Sequence, residues 1–315
     1  MRHPVRALEA RSKTGDSFIS RLLGRGTLLA LLAAVLFGAS APFAKKLLGS
    51  SSPQGMAGLL YLGSGGGLLL LRNLRLRSLR NEKSLMRKDL PWLAGAVIAG
   101  GGVAPVLLLN GLQRTPASAA SLLLNLEAVL TGLVAWLLFR ERFSARIALG
   151  MAAVVSGSAL LSWQGRADWG GFAGPLLVAA ACLAWAFDNN LTQRISNSDP
   201  VQITMIKGLV AGSVNVVLAL VLGWRWPDVA NTILTAGLGF LGYGVSLVLF
   251  VFALRAVGTT RTIAVFSVAP FIGTVVGVIV FGDAVTPYLL VAGTLMASGV
   301  WITTTGRAPH TENAP

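Results

Sequence analysis

Three ionisable residues interrupt stretches that are otherwise apolar: Glu127 in LLLNLEAVLTGLV, Asp188 in ACLAWAFDNNLTQ and Lys207 in VQITMIKGLVAG. An acid there could bind a proton or a cargo group, or it could stay neutral and hydrogen-bond a neighbouring helix. Asp188 and Lys207 lie 9 residues before and 10 after Asn197, the expected turn of a helical hairpin, so they sit at similar depth and can reach each other. Such a pair is either a clasp of the hairpin or a cavity-facing pair that opens when cargo arrives, because its desolvation can exceed its attraction. Asn190 adds an amide that must find a partner, and Trp185 could line an aromatic wall or simply pack in the core. These five residues, Glu127, Asp188, Asn190, Lys207 and Trp185, are the candidate substrate- or proton-binding set.

Other chemistry lacks its central residues. Both histidines, His3 and His310, lie in polar tails, so imidazole-based metal binding and Ser-His-Asp catalysis have no base. Cys182 is a single cysteine, so no disulfide can form within the chain. A membrane enzyme acting on lipid would need a catalytic cluster at an interface, and Glu82, Asp89, Glu141 and Asp199 are scattered. The glycine runs at 63–67 and 100–102 lack the Lys-Ser/Thr ending of a phosphate loop and suit close helix packing. No catalytic residue, metal or cofactor is expected.

The elements that position the charges follow from composition. Of 315 residues 54% are apolar and 12% charged, with mean hydropathy +0.70, which is membrane-protein usage. The net charge of +14 does not point to nucleic acid, because the basic residues flank apolar spans instead of forming one basic face. A bilayer core takes about 20 apolar residues per helix. Ten spans are predicted, at 26–46, 53–72, 90–112, 116–139, 145–163, 170–193, 201–223, 231–254, 259–281 and 285–305. The first imitates a signal peptide, with Ala39-Ser40-Ala41 as a cleavage-like site, but Pro42 follows the cut and the polar stretch before it is long; it reads as an uncleaved helix. Glu127 then lies ~17 Å into its span at 1.5 Å per residue, close to the midplane, where a charge costs roughly 2.5 to 3.5 kcal/mol.

With the amino terminus in the cytoplasm, twenty Lys and Arg fall in inside segments. Five fall outside: Lys45, Lys46, Arg114, Arg166 and Arg225. Both ends are therefore expected to be cytoplasmic. Tryptophans 92, 163, 169, 224, 226 and 301 lie near span ends, as an interfacial belt requires. Residues 1–24 form a basic cytoplasmic tail, 306–315 a second tail, and 72–89 a basic loop that could lie against anionic lipid.

Sliding the chain by 142 residues places 90–163 on 232–305, with Gly100 on Gly242, Glu127 on Ala269 and Ser156-Gly157 on Ser298-Gly299. A shift of 148 sets Phe37 on Trp185, Ser40 on Asp188 and Pro42 on Asn190. Two five-helix halves, 25–163 and 169–305, result. Five is odd, so the second half enters the bilayer in the opposite direction, which is the inverted-repeat plan of secondary transporters. Locally irregular helix is expected at Pro42 and Asn190, and a helix break or hinge at Pro42, Pro105 and Pro270.

LLAAVLFGASAPFAKKL, LNLEAVLTGLVAWLLFRERFSARIALGMAAVVSGSALL, ACLAWAFDNNLTQRIS and the stretch ALRAVGTTRTIAVFSVAPFIGTVVGVIVFGDAVTPYLLVAGTLMASGVW together carry a resemblance. The chain resembles the drug/metabolite transporter superfamily, of the EamA type with two EamA repeats, over residues 26 to 305. The resemblance implies an all-α carrier of ten transmembrane helices in the inner membrane. Its relatives usually export amino acids or other small metabolites through a central cavity without a nucleotide cofactor. No site residue is carried over, because position 127 holds Glu where such repeats often carry an apolar or small residue. The expected partners are a small-molecule substrate and the lipid bilayer, with the substrate gradient and proton exchange at Glu127 both open as the energy source; nucleic acid is not among them, and monomer and homodimer stay open. A non-transporting membrane partner or sensor competes with this reading; it would give no solute flux and tolerate removal of the three charges.

Overall fold

In hydrocarbon every backbone amide and carbonyl must be satisfied within the segment, so apolar spans become helices. The computed structural model describes residues 24–73, 83–139, 144–163, 169–257 and 259–305; the tails, most of the basic loop, Glu82 and Glu141 lie outside them. Among the described residues ten helices are long and apolar enough to cross a membrane, and the chain is a multi-pass membrane protein. They are α1 Arg25–Leu47, α2 Pro53–Asn73, α3 Arg87–Leu112, α4 Ala117–Leu138, α5 Ala145–Trp163, α6 Gly171–Arg194, α7 Pro200–Val221, α8 Val229–Leu254, α9 Thr262–Phe281 and α10 Pro287–Thr304. Each expected span falls within three residues of these bounds.

Caps set several ends. Asp199 accepts from the amides of Val201 (2.9 Å) and Gln202 at the start of α7 and also meets Arg72 at 3.9 Å. Asp89 accepts from the Met86 amide and from Ser198. Both acids are thus spent on holding helix ends. Gly282 closes α9 in the left-handed conformation (φ 68°), which a Cβ would disfavour.

Asp228 caps α8, accepting from the Asn231 backbone and side-chain nitrogens at 2.8 Å each. Those bonds hold its carboxyl below the usual carboxylate range. A depressed carboxylate adds stability that is present above the unfolded-chain value and is lost as pH falls through the folded value. Asp228→Ala is therefore expected to lower the thermal unfolding midpoint at neutral pH, with the gap to wild type closing on acidification, read by scanning fluorimetry in detergent.

Helix packing repeats the internal shift. α1 packs on α8 and α9, and its counterpart α6 packs on α3 and α4; α2 meets α7, α4 meets α9 and α5 meets α10, each pairing an element with its own counterpart. The architecture is two inverted five-helix repeats. Small residues allow the close approaches: Gly58 and Gly65 of α2 sit on the backbone of Gly212 and Gly208 of α7, and Gly150 of α5 on that of Gly299 of α10.

Two departures from regular helix also occur in counterpart pairs. α3 contains a π-helical segment, Val97–Val103, and α8 contains another, Phe240–Val245. α4 breaks at Leu124 and Asn125, and α9 breaks at Ser267 and Val268. At each break a polar side chain turns back to a carbonyl three residues earlier: Asn125 Nδ2 to Leu122 O (2.8 Å) and Ser267 Oγ to Ala264 O (2.7 Å). Residue 125 plus 142 is 267, so the same device stands in both halves.

The irregularity expected at Pro42 and Asn190 is not found. α1 and α6 run through both positions as continuous helix. Pro42 withholds the amide that would bond the Gly38 carbonyl, and that carbonyl instead lies where it would meet any Cβ at Gly273. Pro105 follows the π segment of α3, and Pro270 follows the break in α9.

Candidate functional site

α6 carries the polar residues of the interior on two faces. On one, Asp188 receives Lys207 Nζ of α7 at 2.5 Å to Oδ1 and 2.6 Å to Oδ2, and Thr192 Oγ1 donates to Oδ1 at 2.9 Å. The hairpin thus brings the two charges together. Room for the carboxylate comes from Gly100, where any Cβ would collide with it. The counterpart glycine, Gly242, faces Ser40 in the same way, so the charged pocket has an uncharged twin.

The π segment supplies the rest of this face. The Ala104 amide bonds Ala99 O instead of Gly100 O, which frees the Gly100 carbonyl. Trp185 Nε1 (3.1 Å) and Tyr61 OH (2.5 Å) donate to it. Asn215 Nδ2 takes the Gly101 carbonyl at 3.0 Å, and Gln54 donates to Asn215. Trp185 is therefore a buried donor that ties α6 to α3.

On the other face, Asn189 Nδ2 donates to Glu127 Oε1 (2.9 Å) and to Thr131 Oγ1 (3.2 Å). Asn190 donates to Thr131 O (3.1 Å) and Ala186 O (2.8 Å), while its own Oδ1 is buried without a partner. Glu127 and Asn189 line a cavity of about 630 Å³ between α1, α4, α6, α9 and α10. Its wall includes Phe37, Asn125, Thr131, Phe266, Ser267 and Pro270, and it reaches Thr303 and Thr304 at the end of α10. Both helix breaks open onto it. Cys182 meets the Leu123 carbonyl at the α4 break.

Of the five candidate residues the cavity wall includes Glu127; Trp185, Asp188, Asn190 and Lys207 are not part of it. Asn189, Thr131, Asn125 and Ser267 are the polar wall residues that the candidate set leaves out. A signal existed for two of them, since Asn125 and Ser267 are counterparts under the 142-residue shift. A second, almost wholly apolar groove of about 780 Å³ runs between α3 and α7.

At the other end the helices are fastened together. Asp283 Oδ2 accepts from the Ser118 amide at 2.7 Å, Thr274 Oγ1 donates to Ser118 O at 3.1 Å, and Lys45 donates to the Thr115 carbonyl. Gly277 of α9 abuts the Ser118 backbone of α4. Phe43 lies edge-on to Phe281, and Lys46 sits over the same ring.

The EamA-like transporter family matches residues 24–163 and 172–305, once for each half. The chain belongs to this family. A protein of Methanothermobacter thermautotrophicus described as an uncharacterized transporter is 27% identical over 294 residues, covering 88% of this chain and 85% of its own. A probable terminal-alkyne amino-acid exporter of Streptantibioticus cattleyicolor is 26% identical over 218 residues, covering 68% and 73%. A probable 4-amino-4-deoxy-L-arabinose-phosphoundecaprenol flippase subunit of Yersinia pseudotuberculosis is 40% identical over 75 residues, which is 24% of this chain and 65% of the subunit. A solved crystal structure shares the fold of this chain at TM-score 0.62 and 19% identity, covering 89% of this chain and 95% of its own.

Proposed function

We propose that this EamA-like protein is a secondary active transporter that exports a small organic metabolite, amino-acid-like or similar, across the inner membrane by alternating access. One observation carries the reading: a cavity between the two repeats, with Glu127 in its wall, opens at both helix breaks and extends toward Thr304, while the opposite end is fastened at Ser118 and Asp283. Discontinuous helices meeting at the bilayer midplane are where inverted-repeat carriers bind cargo. The Lys and Arg distribution supports a cytoplasmic location for both termini and for the Thr304 end, so cargo loads from inside. The moving units are the five-helix repeats at 25–163 and 169–305, and Pro105 and Pro270, each beside an irregular turn, serve as hinges.

In this reading Glu127 holds cargo and exchanges protons, and Asn189 orients its carboxylate. Asp188, Lys207, Asn190 and Trp185 act through α6, fixing the height and rotation of Asn189. The relatives named as an amino-acid exporter and an amino-sugar lipid flippase subunit both concern cargo that bears an amino group.

Proteoliposome flux assays with labelled amino acids and amines test the proposal. Glu127→Gln is expected to slow transport by about thirtyfold or more, the usual consequence of deleting one partner of a buried charge contact, and to flatten its pH dependence. Wild-type rate with unchanged pH dependence would remove Glu127 from the mechanism.

A further inference from the structure

We infer that the Glu127 cavity selects cargo that presents an ammonium group on an apolar body and carries no carboxylate of its own. The inference rests on reading this cavity as the cargo site and narrows the amino-acid-like or similar cargo proposed above to amines that lack the carboxylate; it comes from an inventory of what the wall can give and accept. Among the described lining residues Glu127 is the sole charged group. Lys207 is held by both oxygens of Asp188 and does not line the cavity.

Neutral polar groups point the same way. Asn125, Ser267, Thr303 and Thr304 each direct a donor to a carbonyl of their own helix, at 2.7 to 2.9 Å. Asn189 commits its amide group to Glu127 and Thr131. What these side chains leave toward the cavity is lone pairs, and among the described lining side chains the Thr131 hydroxyl, which accepts from Asn189, is the donor left over.

Both half-helix starts, which would otherwise attract an anion, are already committed. Glu127 stands in the first turn after the α4 break, and Pro270, with no amide hydrogen, stands in the first turn after the α9 break. A carboxylate in this space would meet a like charge and find almost no donor. An ammonium would meet a carboxylate, several acceptors and the rings of Phe37 and Phe266, whose centroids are 5.5 Å apart, which suit a cation or an apolar body.

Titration calorimetry on the full-length protein in detergent, using three probes with one phenyl body, tests this. 2-Phenylethylamine is expected to bind about tenfold or more tightly than L-phenylalanine, and 3-phenylpropanoate more weakly than either. Glu127→Gln should erase the preference and Glu127→Asp should keep it; the wild-type rank order stands on its own if either variant does not fold. Equal or tighter binding of phenylalanine or phenylpropanoate overturns the inference. So does a preference that survives Glu127→Gln, or failure of phenylethylamine, straight-chain alkylamines and amino sugars alike to bind. An amine that binds without flux in proteoliposomes sinks the transport reading and leaves this one standing, whereas Glu127-independent flux of a carboxylate cargo does the reverse.

Discussion

Lys207→Ala is expected to destabilise the protein by about 3 to 5 kcal/mol, whereas Asp188→Leu combined with Lys207→Leu costs far less or nothing. The two charges bond at 2.5 and 2.6 Å with side-chain exposures of 15% for the lysine and 7% for the aspartate. Removing one leaves an uncompensated carboxylate against the Gly100 backbone, with Thr192 as its remaining donor. Replacing both removes the desolvation cost together with the attraction. Because Ser40, at a shift of 148, and Leu60, at a shift of 147, occupy the counterpart positions, the fold already tolerates an uncharged version of this contact in its other half. Reversible unfolding in mixed micelles measures both variants. A double variant as unstable as the single one would mean that the pair is held by more than mutual compensation.

Joining the fastened end covalently is expected to arrest transport almost completely. In a Cys182→Ser background, Ser118→Cys and Gly277→Cys place two sulfurs across the α4–α9 seam, where a Cβ at 277 would lie 3.1 Å from that of Ser118. The same Cβ would lie 2.6 Å from the Ser118 backbone nitrogen, so the two helices must part by about 1 Å, which also brings the pair into the Cβ separation of about 3.5 to 4.5 Å at which disulfides form. Oxidation should stop flux and reductant should restore it, while amine binding from the Thr304 side persists. Undiminished flux through the oxidised protein would rule out opening of this end as a step in the cycle.

Most of the scaffold was legible in the sequence because two strong signals agreed. Hydropathy marked all ten spans, and small residues repeating at 142 exposed the duplication and so the inversion. The ion pair was legible from hairpin geometry. The breaks were harder to see: α4 has no proline at Leu124 and Asn125, and a side-chain amide replaces the missing bond there. The glycines at 100–102 were readable as packing residues, which Gly100 and Gly101 are, but a π segment has no residue signature of its own. That Glu127 and Lys207 meet different faces of α6 was not legible, because adjacent residues of that helix, Asp188 and Asn189, point to different partners and only the helix rotation decides which. Pro42 suggested a break that is absent, since the carbonyl it frees abuts α9.

The π segments at Val97–Val103 and Phe240–Val245 skip the same bond in both halves. In the first half the Ala104 amide passes over the Gly100 carbonyl to bond Ala99 O, and in the second the Ser246 amide passes over Gly242 to bond Leu241 O. Each repeat therefore releases one main-chain acceptor from its own ladder at the matching position, and whatever donor the neighbouring helices supply there fixes how that widened turn is held.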